Sequence, residues 1–156
     1  MTASQKLKEL NLTLPPVAAP VGAYVPGTRV GNLALTSGQL PLAAGKLLAT
    51  GKVGRDVTLE QAQAAAKCAG LNALAIAAQL AGGIDRLKRI VRLAVFVNSA
   101  PGFTDQPKVA NGASDLMVEV FGEAGRHVRA AVGVNELPLN AAVEVELIAE
   151  VSGEAP

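Results

Sequence analysis

From Ala142 to Val151 successive residues alternate strictly between an apolar face and a mostly polar one. Val143, Val145, Leu147 and Ala149 share one face, and Glu144, Glu146 and Ile148 share the other. A period of two over this length predicts a strand with one side in a core. Leu33, Leu35 and Ser37 alternate with Ala34 and Thr36 in the same way, in a strand ended by Gly38 and Pro41. Ile90–Val97 is a β-branched run predicting a third strand that reaches Asn98-Ser99, after a polar lead-in at Asp85–Arg89. His127–Val134 is a fourth, and Leu137–Asn140 connects it to the last.

Helical spacing governs the stretches between. From Leu59 to Leu80 almost every residue is a good helix former, and Ala65, Ala69, Leu71, Leu74, Ile76 and Leu80 make one broad apolar face. Thr58 followed by Gln61 has the spacing of a capping box, and Gly82-Gly83 stop the helix. A second helix is predicted from about Lys108 to Phe121, with Gly122 and Gly125 around its end. A short amphipathic one is predicted from Ser4 to Leu10. Between that helix and the first strand, Pro15, Pro16, Pro20 and Pro26 enforce an extended, irregular path. Residues 42–56 read as a turn, a short strand and a Gly-rich loop.

Strands, long helix, strand, helix, strand, strand is the order of an α+β two-layer sandwich: a mixed sheet with two helices on one face. The sheet's other face is too polar for a core and too apolar for free solvent. A partner subunit covering it would explain both properties. Nothing divides the 156 residues, so one domain is expected over 1–156. Residues 1–19 form an N-terminal helix and Pro-rich extension, and 20–151 the core.

Composition narrows the function. Four aromatic residues (three Phe, one Tyr, no Trp) and a net charge of +1 supply neither stacking platforms nor a basic stripe, so no nucleic acid is expected as partner. The single Cys68 excludes an intrachain disulfide, and in its Ala-rich run it reads as a small buried residue. No stretch reaches the roughly 18 consecutive apolar residues of a membrane span, and MTASQKLKELNL has no secretory pattern. A cytoplasmic protein without membrane contact is expected.

Little catalytic chemistry is available. With one His and one Cys, a zinc site lacks ligands, and no metal or cofactor is expected. TSGQ and GEAG lack any nucleotide-binding pattern around them. His127, beside Arg126 at a strand start, reads as a solvated or turn-capping residue. What remains is Arg129 in the apolar run HVRAAVGV and Glu144 in AAVEVEL. They could form a structural salt bridge. Alternatively, Arg129 holds a substrate carboxylate with its planar fork while Glu144 positions or activates a water. Glu146, two residues on, points the same way, and periodicity does not separate the two.

VGAYVPG, LALTSGQLP, LAVFVNS and above all RHVRAAVGVNELPLNAAVEVELIAEV resemble the RidA (YjgF, L-PSP) family from about Pro20 to Val151. The resemblance implies a chorismate-mutase-like fold in which three copies pack their sheets into a central barrel, leaving a cleft at each subunit contact. It implies hydrolytic deamination of small reactive 2-imino or enamine acids to 2-oxo acids and ammonia. By position, Arg129 matches the arginine that grips the substrate carboxylate and Glu144 the glutamate that orients the attacking water. Tyr24 matches a tyrosine lining the cleft, Gly38 a glycine whose backbone approaches the ligand, and Asn111 falls where a cleft asparagine is expected. A non-catalytic trimer binding a small carboxylate metabolite is the alternative, and an endoribonuclease a third. The chain departs from the compact deaminases in its N-terminal helix, in FTDQPKVANGASDL, and in Ala130-Ala131 where many members carry a Ser-Cys or similar pair.

Overall fold

The capping box predicted at Thr58 forms, and the structure adds a second at Thr2. Thr58 Oγ1 accepts from the Gln61 amide at 3.2 Å, while the Thr58 amide donates to Gln61 Oε1 at 3.0 Å. Thr2 and Gln5 repeat the exchange. These are features of a computed structural model describing residues 1–17 and 22–153; residues 18–21 of the Pro-rich segment, Pro20 among them, lie outside it. The Thr2 cap starts α1 (Ala3–Glu9) and the Thr58 cap starts α2 (Leu59–Ala81), which ends at Gly82 in the left-handed region. A third helix runs over Gln106–Phe121, two residues earlier than expected, because Pro107 is tolerated in the first turn. In chain order it is α3.

The strands are β1 (Gly27–Val30), β2 (Leu33–Thr36), β3 (Leu42–Ala43), β4 (Lys46–Leu47), β5 (Leu87–Asn98), β6 (Val128–Val134) and β7 (Val143–Val151). Five form one mixed sheet in the order β1-β2-β7-β5-β6, and β3 and β4 make a small separate hairpin. Only β5 and β6 pair in parallel, joined by α3 as crossover, which leaves β6 at the sheet edge. The lead-in expected before β5 is a short 3-10 turn, Ile84–Arg86, and the strand begins at Leu87.

The alternation of β7 survives intact. Val143, Val145, Leu147, Ala149 and Val151 are buried toward the helices with Leu93, Val95 and Val97 of β5, whereas Glu144, Glu146, Ile148 and Glu150 lie on the open face. α2 fills the other side of that core with alanines (Ala62, Ala65, Ala66, Ala69, Ala73 and Ala77 are fully buried), small residues that let the helix lie close to the sheet. By length and composition α2 could cross a membrane, but 61% of its most apolar window is buried inside the fold, so it is a core helix. Cys68 is only half-buried, its Sγ 3.6 Å from the Leu42 carbonyl. Its side chain falls on the flank of α2 beside the small hairpin rather than on the core stripe.

α3 is seated by close backbone approach to α2. A Cβ on Gly112 would lie 2.8 Å from the Gln63 carbonyl carbon and closer still to its oxygen. Gly112→Ala must therefore push the helices apart. The expected cost is about 2 kcal/mol or more, a fall of about 4–8 °C in Tm by calorimetry. An unchanged Tm would mean that α3 is not held where these contacts put it.

Asn98, at the C-terminal end of β5, is the one fully buried polar residue among those described. Its carboxamide donates to the Ala141 carbonyl at 3.2 Å and accepts from Lys52 Nζ at 2.9 Å, and Lys52 also reaches the Asn135 carbonyl. This staple fixes the β6–β7 connector and hence the start of the strand that carries Glu144.

Candidate functional site

Arg129 and Glu144 do not form an ion pair within one subunit, and they do not share a face. In the β5–β6 register Arg129 is level with Leu93, a core residue directed at the helices. Its guanidinium accordingly projects on the helix side of the sheet edge. Glu144 is level with Phe96 on the open face. The arginine of the open face is Arg92, which lines a shallow recess with Ala94, Glu146 and Ile148. The sequence pattern did not assign Arg129 to a face, because β6 is a short run of small apolar residues whose alternation carries no polar marker.

The Arg129 guanidinium is braced by neutral groups. Nη1 donates to Asn111 Oδ1 at 2.8 Å and to Ser114 Oγ at 3.1 Å, both on α3 one turn apart. Among the described residues no carboxylate lies within ion-pair distance of it, and the side chain is exposed. A guanidinium held still, charged and open to solvent has the chemistry to take an anion, with Nε and Nη2 left as a two-pronged donor. Ser114 Oγ also lies 2.9 Å from His127 Nε2, and His127 Nδ1 lies 2.6 Å from the Gly125 carbonyl. A carbonyl only accepts, so Nδ1 carries a hydrogen. In the neutral ring Nε2 is then the acceptor for the serine hydroxyl. No sequence motif signals this arrangement, because Ser114 and His127 meet across the α3–β6 turn.

Glu144 is half-buried and Glu146 is exposed, a distinction that strand periodicity leaves open. Burial first, and the neighbouring Glu146 second, raise the Glu144 carboxyl above the ordinary value of 4.5. Its side chain lies across Gly38: a Cβ there would stand 2.7 Å from the carboxyl carbon. Gly38 thus makes room for the Glu144 carboxylate, and Gln39 pairs with Val145 through two backbone hydrogen bonds of 2.8 and 2.9 Å that fix the register. Gly38→Ala is expected to leave folding intact and to displace Glu144. Any turnover that depends on that carboxylate should drop at least tenfold in kcat, read by steady-state kinetics beside a Tm control.

Tyr24 is 56% exposed, on the segment leading into β1. The main recesses of the single subunit lie away from Arg129 and Glu144. One, of about 690 Å³, is bounded by Thr2, Lys6, Asp85, Lys88 and Phe121; another, of about 340 Å³, by Pro15, Gln39, Asn72 and Ile76. The expected residues therefore fall into two separate groups: Arg129 with Asn111 on the helix side of β6, and Glu144 with Gly38 on the open face.

A mixed five-stranded sheet with two long helices on one face and an arginine braced on its edge strand defines an α+β protein of the chorismate-mutase-like type. Over residues 4–151 the chain matches the family described as "YjgF/chorismate mutase-like, putative endoribonuclease", and it belongs to that family. It is 46% identical to protein TCP17 of Trypanosoma cruzi over 147 residues, 94% of this chain and 92% of that one. A crystal structure from Shewanella oneidensis, described as a "putative endoribonuclease", superposes with a TM-score of 0.93 at 42% identity, covering 97% of this chain and 100% of that one. Escherichia coli TdcF, solved with bound serine, gives a TM-score of 0.62 at 25% identity, with 86% and 92% covered.

Proposed function

We propose that the chain acts as one domain and hydrolyses small reactive 2-imino or enamine acids to 2-oxo acids and ammonia, in clefts that a neighbouring copy completes. The observation that carries this reading is the exposed Arg129 guanidinium, held by Asn111 and Ser114 and left without a carboxylate partner among the described residues. It offers two parallel N–H donors to a substrate carboxylate, which would set the adjacent C=N carbon at a fixed place. Glu144, carried over Gly38 on the opposite face, would reach that carbon from a second copy. There it would orient the attacking water and hand its proton on to the departing nitrogen. Tyr24 would close the cleft wall. Three copies packing sheet against sheet would cover the open face with its glutamates and Arg92.

The test is direct. Generate 2-iminopropanoate with an amino-acid oxidase, trap it with semicarbazide, and measure whether the purified protein accelerates imine loss. Sedimentation of the same sample should report a trimer. No acceleration, or a monomer at working concentration, removes the reading.

A second reading is a non-catalytic trimer that binds a small carboxylate metabolite. The serine bound to E. coli TdcF favours it, since an amino acid supplies the carboxylate that Arg129 would take. Here ligand affinity would depend on Arg129, and no turnover would be measured. An endoribonuclease, the description carried by the family, would need tight and steeply salt-dependent RNA binding, a poor match to a net charge of +1.

A further inference from the structure

We propose that His127 and Ser114 couple carboxylate binding at Arg129 to uptake of a proton, so that the anion site is a four-residue unit of Asn111, Ser114, His127 and Arg129. The inference rests on Arg129 as the carboxylate site and adds two residues that the family signature leaves aside.

The geometry sets the two states. With the ring neutral, its Nδ1–H is committed to the Gly125 carbonyl at 2.6 Å, so Nε2 takes the Ser114 hydroxyl hydrogen at 2.9 Å. Ser114 then faces Arg129 only as an acceptor, at 3.1 Å. When Nε2 gains a proton, the Nε2–H donates to Ser114 Oγ. The serine hydrogen is released and can turn toward an anion on the guanidinium, while Oγ keeps a lone pair for Nη1. Protonation thus adds a hydroxyl donor and a second positive charge beside the bound carboxylate. An anion on Arg129 in turn favours the protonated ring, because only in that state does the serine hydroxyl turn to donate to it. By linkage each event favours the other.

The other charges on α3 and in the turn before β6 are Lys108 (paired with Asp105), Asp115 and Glu119, all exposed, and the exposed Glu123–Arg126 pair, 3.2 Å apart. None of them makes a hydrogen bond with the imidazole, Ser114 or the guanidinium. Glu144, expected across the cleft, also titrates, so the experiment is run in a Glu144→Gln background.

The probe is 2-oxobutanoate, a stable acid that stays ionised throughout the range. Its Kd is measured by titration calorimetry from about pH 8.5 to about pH 5.5. Binding should tighten roughly tenfold toward acid pH, with net proton uptake shown by heats that depend on the buffer's ionisation enthalpy. His127→Gln should flatten the pH dependence and abolish the uptake. Ser114→Ala should reduce the pH dependence and Ser114→Thr restore it, all at unchanged Tm. Binding that is pH-independent in the His127-intact protein, or equally pH-dependent in His127→Gln, overturns the coupling while leaving Arg129 as the carboxylate site. Absence of binding at every pH overturns both. A merely structural role for His127 would lower affinity evenly across pH, and that outcome also overturns the coupling.

Discussion

Arg129→Ala is expected to raise KM for 2-iminopropanoate, and Kd for 2-oxobutanoate, by about 10²–10³-fold. Truncating one partner of a close charge pair costs roughly 2–5 kcal/mol, and each 1.4 kcal/mol is a factor of ten. The bracing explains why the loss should exceed the low end of that range. Asn111 and Ser114 hold the guanidinium before any ligand arrives, so little side-chain entropy is lost on binding. Arg129→Lys should recover only part of the affinity. It keeps the charge, but an ammonium on a flexible stem lacks the planar two-pronged donor that grips both carboxylate oxygens from a braced position. Calorimetric titration with 2-oxobutanoate checks both substitutions. Wild-type affinity in Arg129→Ala would remove the guanidinium from the site.

Glu144→Gln is expected to lower kcat by about 10²–10³-fold with KM within about threefold, because the group acts on water rather than on the carboxylate. A protein that only binds its ligand would show unchanged affinity and no turnover to lose, so one variant separates the two readings. The substitution has a second readout in stability. Burial and Glu146 raise the Glu144 carboxyl above 4.5 in the fold, so the folded subunit holds the charged form less well than the unfolded chain does. Stability is therefore lost as pH rises from 4.5 through the raised folded value. Glu144→Gln should melt higher than wild type at neutral pH and at the same temperature near pH 4. A lower Tm at neutral pH would mean that the carboxylate is stabilised by a partner.

Much of the scaffold was legible because local chemistry and global packing agree. Thr58, Gln61 and Gly82 mark the ends of α2 within a residue, and the strict alternation of β7 assigns every side chain to its face. The fold class followed from the order of such segments. The site was legible by residue type but not by placement. Val128, Ala130 and Val132 on one face of β6 differ too little in polarity from Ala131 and Gly133 on the other, so the direction of Arg129 was undecided until β5 fixed the register. Glu144 and Glu146 share a face by the period of two. What distinguishes them is the bare backbone of Gly38, a residue distant in sequence. The Ser114–His127 contact depends on how the chain turns between α3 and β6, and no motif encodes that turn.

The placement of Arg129 and Glu144 on opposite sides of one sheet has a consequence for mixed assemblies. A cleft that draws its cation from one copy and its carboxylate from the next is repaired when two differently broken chains meet. Arg129→Ala and Glu144→Gln proteins, each inert alone, would regain about one quarter of the native rate after unfolding together and reassembling in equal amounts, since one contact in four would then join an intact arginine to an intact glutamate.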